Sequence, residues 1–243
     1  MVQSTLFFNK SRENLSRRRG IGVCAYRPVL LNRTGLIFVK NQLFMGQEGN
    51  FNSEQANRLF RSRRSIFPDQ FEKGKVVPEE IILELLENAN WAPNHKNTEP
   101  WRFTIFTGKG LKKLADFQAE RYKANAGEKF RQDKYEKLLS TPPACSHVLA
   151  IILRRSTEIA IPEMEEIAAV ACSVQNIYLS VSAYGLGGYW STGGITYDPA
   201  AKPFLGLQGD DRLMGFFYLG YVKIPSVAGK RRPVAEKTNW VRE

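Results

Sequence analysis

Histidine and cysteine are scarce in this chain of 243 residues, which has two of the former and three of the latter. Cys24, Cys145 and Cys172 are odd in number, widely separated and form no Cys-x-x-Cys pair. That argues against a disulfide framework and for a reducing compartment. With so few histidines and no cysteine cluster there is little from which to build a transition-metal site. His95 has no second ligand near it, so no metal is expected and the residue reads as a hydrogen-bonding loop histidine. The same scarcity argues against a Ser-His-Asp arrangement, because neither histidine sits in a nucleophile motif. Long apolar runs are also missing. The longest early one, Gly-Leu-Ile-Phe-Val at 35–39, falls far short of the roughly 18 residues that span a bilayer, so a soluble protein without membrane attachment is expected.

Acidic residues are nearly absent from one end. Residues 1–44 carry eight Lys/Arg and a single acid, Glu13, whereas the rest of the chain carries 27 bases and 23 acids. The formal charge of +11 is therefore concentrated at the N-terminus. The remainder is only mildly basic, which disfavours a general nucleic-acid surface. Residues 1–50 are rich in Arg, Ser and Asn without sustained periodicity. They read as an N-terminal extension of the kind found upstream of a native start, with Met45 the preferred start and a cytoplasmic location. The alternative is a cleaved transit peptide and an organellar location. A regular domain is expected over 53–243.

Within that domain, Asn52 or Ser53 can cap a helix running to about Arg63, with Ala56, Leu59 and Phe60 on one face. Pro78 opens a second helix with Glu79 and Glu80 in its first turn. A strand is predicted at Trp101 to Thr107. Two helices follow between Lys109 and Ser140, broken near Ala126-Gly127, and then an apolar strand at Val148 to Leu153. Pro162 opens a long helix to about Tyr184 whose small residues suit either a buried core or a subunit interface. Gly185-Leu186-Gly187-Gly188 is read as its stop. A strand at Tyr189-Trp190, a short helix at Pro199 to Leu205 and a strand at Arg212 to Tyr221 complete the pattern. Such a mixture gives an α+β or α/β sandwich rather than an alternating Rossmann domain.

Four segments can carry chemistry. Arg63-Arg64-Ser65 offers two guanidinium forks and a hydroxyl, suited to a phosphate, or else a helix C-terminal charge run. Ala92-Pro93-Asn94-His95-Lys96-Asn97-Thr98-Glu99-Pro100-Trp101 is a polar loop wedged between two apolar elements, where function concentrates. His95 and Asn97 there can meet the edge of a flat heterocycle. Gly187 to Gly194, containing Trp190, Ser191 and Thr192, has glycines that let a backbone approach a planar ligand. Finally, Lys230-Arg231-Arg232-Pro233 follows the last core strand and can return to a phosphate. No acid, base or nucleophile stands out, which fits an enzyme whose cofactor performs the chemistry.

In order and spacing these four segments resemble the nitroreductase family of FMN-dependent oxidoreductases, over about residues 53 to 240. Pro-Asn-His-Lys before Pro-Trp is most similar to its small bacterial-type NAD(P)H nitroreductase subgroup. The resemblance implies a three-layer α-β-α sandwich with an antiparallel or mixed central sheet and a long central helix. It also implies an intertwined homodimer with two FMN sites at the interface. Arg63, Arg64 and Ser65 would hold the FMN phosphate, ribityl chain or pyrimidine edge, and Lys230 and Arg232 would reach the phosphate. His95 and Asn97 would come from the partner chain, and Trp190, Ser191 and Thr192 would flank the ring. Three features depart from the family pattern. Phe67 replaces a frequent basic residue, Glu99 the usual Gln before Pro-Trp, and Trp190-Ser191-Thr192-Gly193 a Pro-x-Glu-Gly turn.

The implied activity is hydride transfer from NADH or NADPH through flavin to a nitroaromatic, quinone or similar small acceptor in ping-pong order. A flavin storage or sensing protein without turnover uses the same residues. A basic interaction module built on the N-terminus is a reading of a third class.

Overall fold

The computed structural model describes residues 52–242, so the expectations for residues 1–50 and for Met45 lie outside the described residues. Helix α1 (Ser53–Ser62) is capped by Asn52, whose side chain accepts the N–H groups of Glu54 and Gln55 at 2.9 and 3.1 Å. Two of the donors that every helix start leaves unpaired are thereby satisfied. Ala56, Leu59 and Phe60 share a face as expected, yet no α1 residue is buried against the described residues and Phe60 is exposed.

Helix α2 (Glu79–Asn90) follows Pro78, and β1 (Trp101–Phe106) follows the polar loop. The stretch expected to hold two helices divides into α3 (Lys109–Ala126) and α4 (Gln132–Ser140), parted at Gly127. Strand β2 (His147–Leu153) leads to α5 (Glu163–Ala183), which starts after Pro162 with three glutamates in its first turn. Strand β3 (Leu186–Ser191), the short α6 (Ala201–Leu205) and β4 (Arg212–Tyr221) complete the core.

The strands form one sheet in the order β1-β2-β4-β3, every neighbouring pair antiparallel. The sheet expected to be antiparallel or mixed is thus wholly antiparallel among the described residues. All seven residues of β2 are buried, which is why it reads as an uninterrupted apolar run. Leu149, Ile151 and Leu153 point to a core with Ile82 and Leu85 of α2 and Val174 and Ile177 of α5. Val148, Ala150 and Ile152 point to a second core with Leu111 and Leu114 of α3 and Ala201 of α6. Helices thus cover both faces, giving the three α-β-α layers of an α+β sandwich.

Helix α5 buries Ala169, Val170, Ser173, Val174, Ile177, Tyr178 and Val181, while Met164, Ala168 and Cys172 stay exposed. It is a core helix on one face and an uncovered one on the other. The glycine stretch needs correction. Gly185 ends α5, but Gly187 and Gly188 lie inside β3. A Cβ on Gly188 would fall 2.5 Å from the Phe217 ring, and one on Gly187 would fall 2.9 Å from Ile66 and Phe71. These glycines admit core side chains, not a planar ligand.

A bulge marks β4. The β2–β4 register shifts between Ile151 and Ile152, leaving Met214 without a partner on β2. Gly215 beside it takes a φ of 118°, and a Cβ there would lie 2.3 Å from the Ser191 carbonyl oxygen. The Met214 carbonyl accepts the Trp190 indole N–H at 3.1 Å. Among the described residues no helix is long and apolar enough to cross a membrane.

Candidate functional site

The end of α1 runs straight into the free edge of the sheet. Ile66 donates its N–H to the Gly188 carbonyl of β3 at 2.9 Å. That bond places Arg63, Arg64 and Ser65 beside the outer end of β3, where Trp190 and Ser191 are half-buried and Thr192 is exposed. Tyr178 of α5 ties these pieces together. Its hydroxyl accepts the Trp190 N–H at 2.7 Å and lies 3.4 Å from the Ser65 hydroxyl. The Arg63 guanidinium stands 4.7 Å above its ring, and the ring meets Phe217 edge-on. An edge-strand N–H is satisfied in this way by a side chain from the layer beneath. Sequence reasoning passed over Tyr178. The one available signal was a tyrosine between Ile177 and Leu179 on a helix otherwise without aromatic residues.

The C-terminal segment returns to the same corner. Ser226 donates to the Ser65 carbonyl at 3.1 Å, and Gly229 packs so closely on Arg64 that a Cβ would come within 2.6 Å of the guanidinium carbon. Lys230 follows directly and is exposed, as is Arg232 two residues further on. Arg64 donates through Nη1 to the carbonyls of Arg61 and Arg63, both at 2.7 Å, so it does cap the end of α1. Its Nε is buried without a partner. Among the described residues no carboxylate pairs with Arg58, Arg61, Arg63, Arg64, Lys230 or Arg232. A corner of uncompensated guanidinium and ammonium groups is an anion site in waiting.

The polar loop lies elsewhere. Its ends are drawn together by the Trp101 indole N–H, which donates to the Asn90 side chain at 3.0 Å. Lys96, Asn97 and Glu99 adopt φ of 51°, 54° and 42°, and they are the three non-glycine residues with positive φ among the described residues. Such backbone strain gathers where function requires a fixed geometry. Asn94 accepts the Glu99 N–H at 3.1 Å, and Arg102 donates to the Glu99 carbonyl at 2.7 Å. Glu99 therefore acts mainly through its backbone, and its side chain is exposed. His95 pairs through Nδ1 with Glu165 in the first turn of α5 at 2.5 Å.

Glu165 and Tyr178 stand thirteen residues apart on α5, about 20 Å at 1.5 Å per residue. One chain therefore brings together Arg63, Arg64, Ser65, Trp190, Ser191, Thr192 and Lys230, but not His95 and Asn97. Among the described residues no histidine, cysteine or carboxylate is bonded to the corner's side chains, so the corner holds no activated nucleophile. The buried Cys145 thiol, pushed up to about 12 by desolvation, is no nucleophile either.

The architecture and this corner define an α+β sandwich with an uncompensated cationic edge at the end of its first helix. The nitroreductase family model matches residues 60–221, and the chain belongs to the nitroreductase family. It is similar to the protein named "Putative NAD(P)H nitroreductase YfhC" of Bacillus subtilis, with 28% identity over 179 residues, covering 74% of this chain and 90% of that one. A nitroreductase-like family protein from Bacillus cereus superposes with a TM-score of 0.65 at 27% identity, over 77% of this chain and 96% of that one. The FMN-dependent nitroreductase NfnB from Mycobacterium smegmatis, solved in complex with NADPH, shares the fold. Its TM-score is 0.60 at 20% identity, over 78% of this chain and 99% of that one.

Proposed function

We propose that this chain is an FMN-dependent oxidoreductase that passes a hydride from NADH or NADPH to a nitroaromatic, quinone or similar small acceptor. The observation that carries the reading is the cationic corner where Gly229, followed directly by the exposed Lys230, closes over Arg64 in a chain of the nitroreductase family. The residues present fit a phosphate-bearing cofactor. Arg64 holds a buried and unpartnered Nε, its neighbours lack acidic partners, and Gly229 allows a close backbone approach.

In this reading Arg63, Arg64, Ser65 and Lys230 hold the phosphate and ribityl chain, with Arg232 next in reach. Trp190, Ser191 and Thr192 flank the ring. The Trp190 side chain is fixed for that task by its indole bond to Met214 and its backbone bond to Tyr178. Bound FMN supplies a reversible hydride-accepting centre. The protein supplies orientation, exclusion of water and positive charge. Donor and acceptor use one opening in turn, a ping-pong order. The site is completed by His95 and Asn97 of a second copy. Uncovered apolar residues on α1, α2, α5 and the C-terminal segment support a homodimer: Phe60, Leu83, Met164 and Trp240 are 58%, 56%, 72% and 75% exposed. Two unpaired thiols, Cys145 and Cys172, suit a cytoplasmic location.

Purified protein is expected to be yellow with a flavin spectrum and to oxidise NAD(P)H when given a quinone or nitroaromatic. Flavin binding without turnover would point instead to storage or sensing. Arg64→Ala and Lys230→Ala are each expected to weaken FMN binding about tenfold, the loss of one charge-assisted contact. Fluorescence titration with FMN measures this, and unchanged affinity in both variants would remove the corner from the phosphate site.

A further inference from the structure

The pairing of His95 with Glu165 does more than tack a loop to a helix. The two residues are 70 positions apart and meet at 2.5 Å, each about half-exposed. The backbone that carries His95 is already fixed without that contact. Thr98 donates to the His95 carbonyl at 3.3 Å, Asn94 holds the Glu99 N–H, and the strained φ angles of Lys96 and Asn97 leave few alternatives. What the loop does not fix is the imidazole ring. A carboxylate can only accept, so the hydrogen it meets must sit on Nδ1 whether the ring is neutral or protonated. Nε2 is then the nitrogen left open.

We infer that Glu165 is a positioning residue which, by holding Nδ1–H of His95, assigns Nε2 as the ring atom that meets the ligand. A neutral His95 then presents a lone pair to a ligand N–H or O–H, such as an imide edge or a ribityl hydroxyl. It does not join the anion-binding corner. The partner bonded at one ring nitrogen decides what the other can do. Only the identity of the ligand in this inference rests on the flavin reading.

The chain's other histidine provides an internal reference. Ser146 Oγ accepts the Val77 N–H at 2.7 Å, and among the described residues its own hydrogen has no acceptor other than Nδ1 of His147 at 2.8 Å, which assigns the proton of neutral His147 to Nε2. The two rings are thus opposite tautomers, and imidazole nitrogen NMR of the 15N-histidine-labelled protein separates them. Wild type, Glu165→Gln and Glu165→Ala are compared with and without FMN. Glutamine keeps an acceptor but removes the charge near the α5 N-terminus; alanine removes both.

His95 is expected to carry its proton on Nδ1 in wild type and Glu165→Gln and to shift to Nε2 in Glu165→Ala, with His147 unchanged. With FMN bound, kcat/KM for a quinone should fall about tenfold in Glu165→Ala and stay near wild type in Glu165→Gln. Retention of Nδ1–H in Glu165→Ala, or an equal loss in both variants, would overturn the inference. If wild type binds no FMN and Glu165→Ala still shows the tautomer shift, Glu165 keeps its role and the flavin reading alone is removed.

Discussion

At the scale of single residues, burial decides which groups can respond to pH. His147 is 5% exposed at the start of β2, and desolvation lowers its pKa below the ordinary 6.5, with the nearby Glu79 acting weakly against that shift. Below about pH 6.5 the unfolded chain takes a proton that the folded protein refuses. Stability is therefore present above that pH and is lost as pH falls from there through the lower folded value. Protonating Nδ1 would also reverse its bond with Ser146, leaving the hydroxyl hydrogen without its acceptor. His147→Asn places a neutral amide at that position. The urea midpoint of wild type is expected to drop more between pH 7.5 and 5.5 than that of the variant, and parallel curves would refute this account. Asp198 shifts against its desolvation, because hydrogen bonds outweigh it. Arg121, with Asn125, bonds its carboxylate and holds it below the usual range, so α3 is anchored to the segment before α6 at any ordinary pH.

At the scale of elements, the clearest device is the bulge that turns a carbonyl of β4 toward Trp190. It requires φ of 118° at Gly215 and room for the Ser191 carbonyl. Gly215→Ala is expected to destabilise by about 3 kcal/mol or more, combining backbone strain with overpacking. A thermal melt would show it, and the Trp190 fluorescence environment should change before unfolding. No such feature was legible in the sequence, where Met214-Gly215 reads as ordinary strand. The fully buried β2, the break at Gly127 and the start of α5 after Pro162 were legible, because each rests on local periodicity or one punctuating residue. The polar loop between α2 and β1 was legible by contrast with its neighbours. What it grips was not, because Glu165 lies in a helix start where acids are commonplace. Tyr178 and the packing role of Gly187 and Gly188 escaped for the same reason: their partners Trp190, Phe217 and Phe71 are brought near only by the finished sheet.

At the scale of the whole molecule, two polar clusters are mounted at opposite ends of α5. The corner of Arg63, Arg64 and Lys230 sits by Tyr178, and the loop with His95 sits by Glu165. In the homodimer we propose, damage to either cluster is therefore separable by subunit. Arg64→Ala and His95→Ala proteins should each be weak alone. Unfolded together and refolded as a mixture, about half of the dimers are hybrids in which one composite site inherits both defects and the other inherits neither. Recovery of about a quarter of wild-type turnover would then appear from two impaired parents, as expected for random pairing across a two-fold axis. Activity no greater than the parental average would mean that each chain works alone. In that proposed dimer, the length of one helix would make genetic complementation between alleles a readable property.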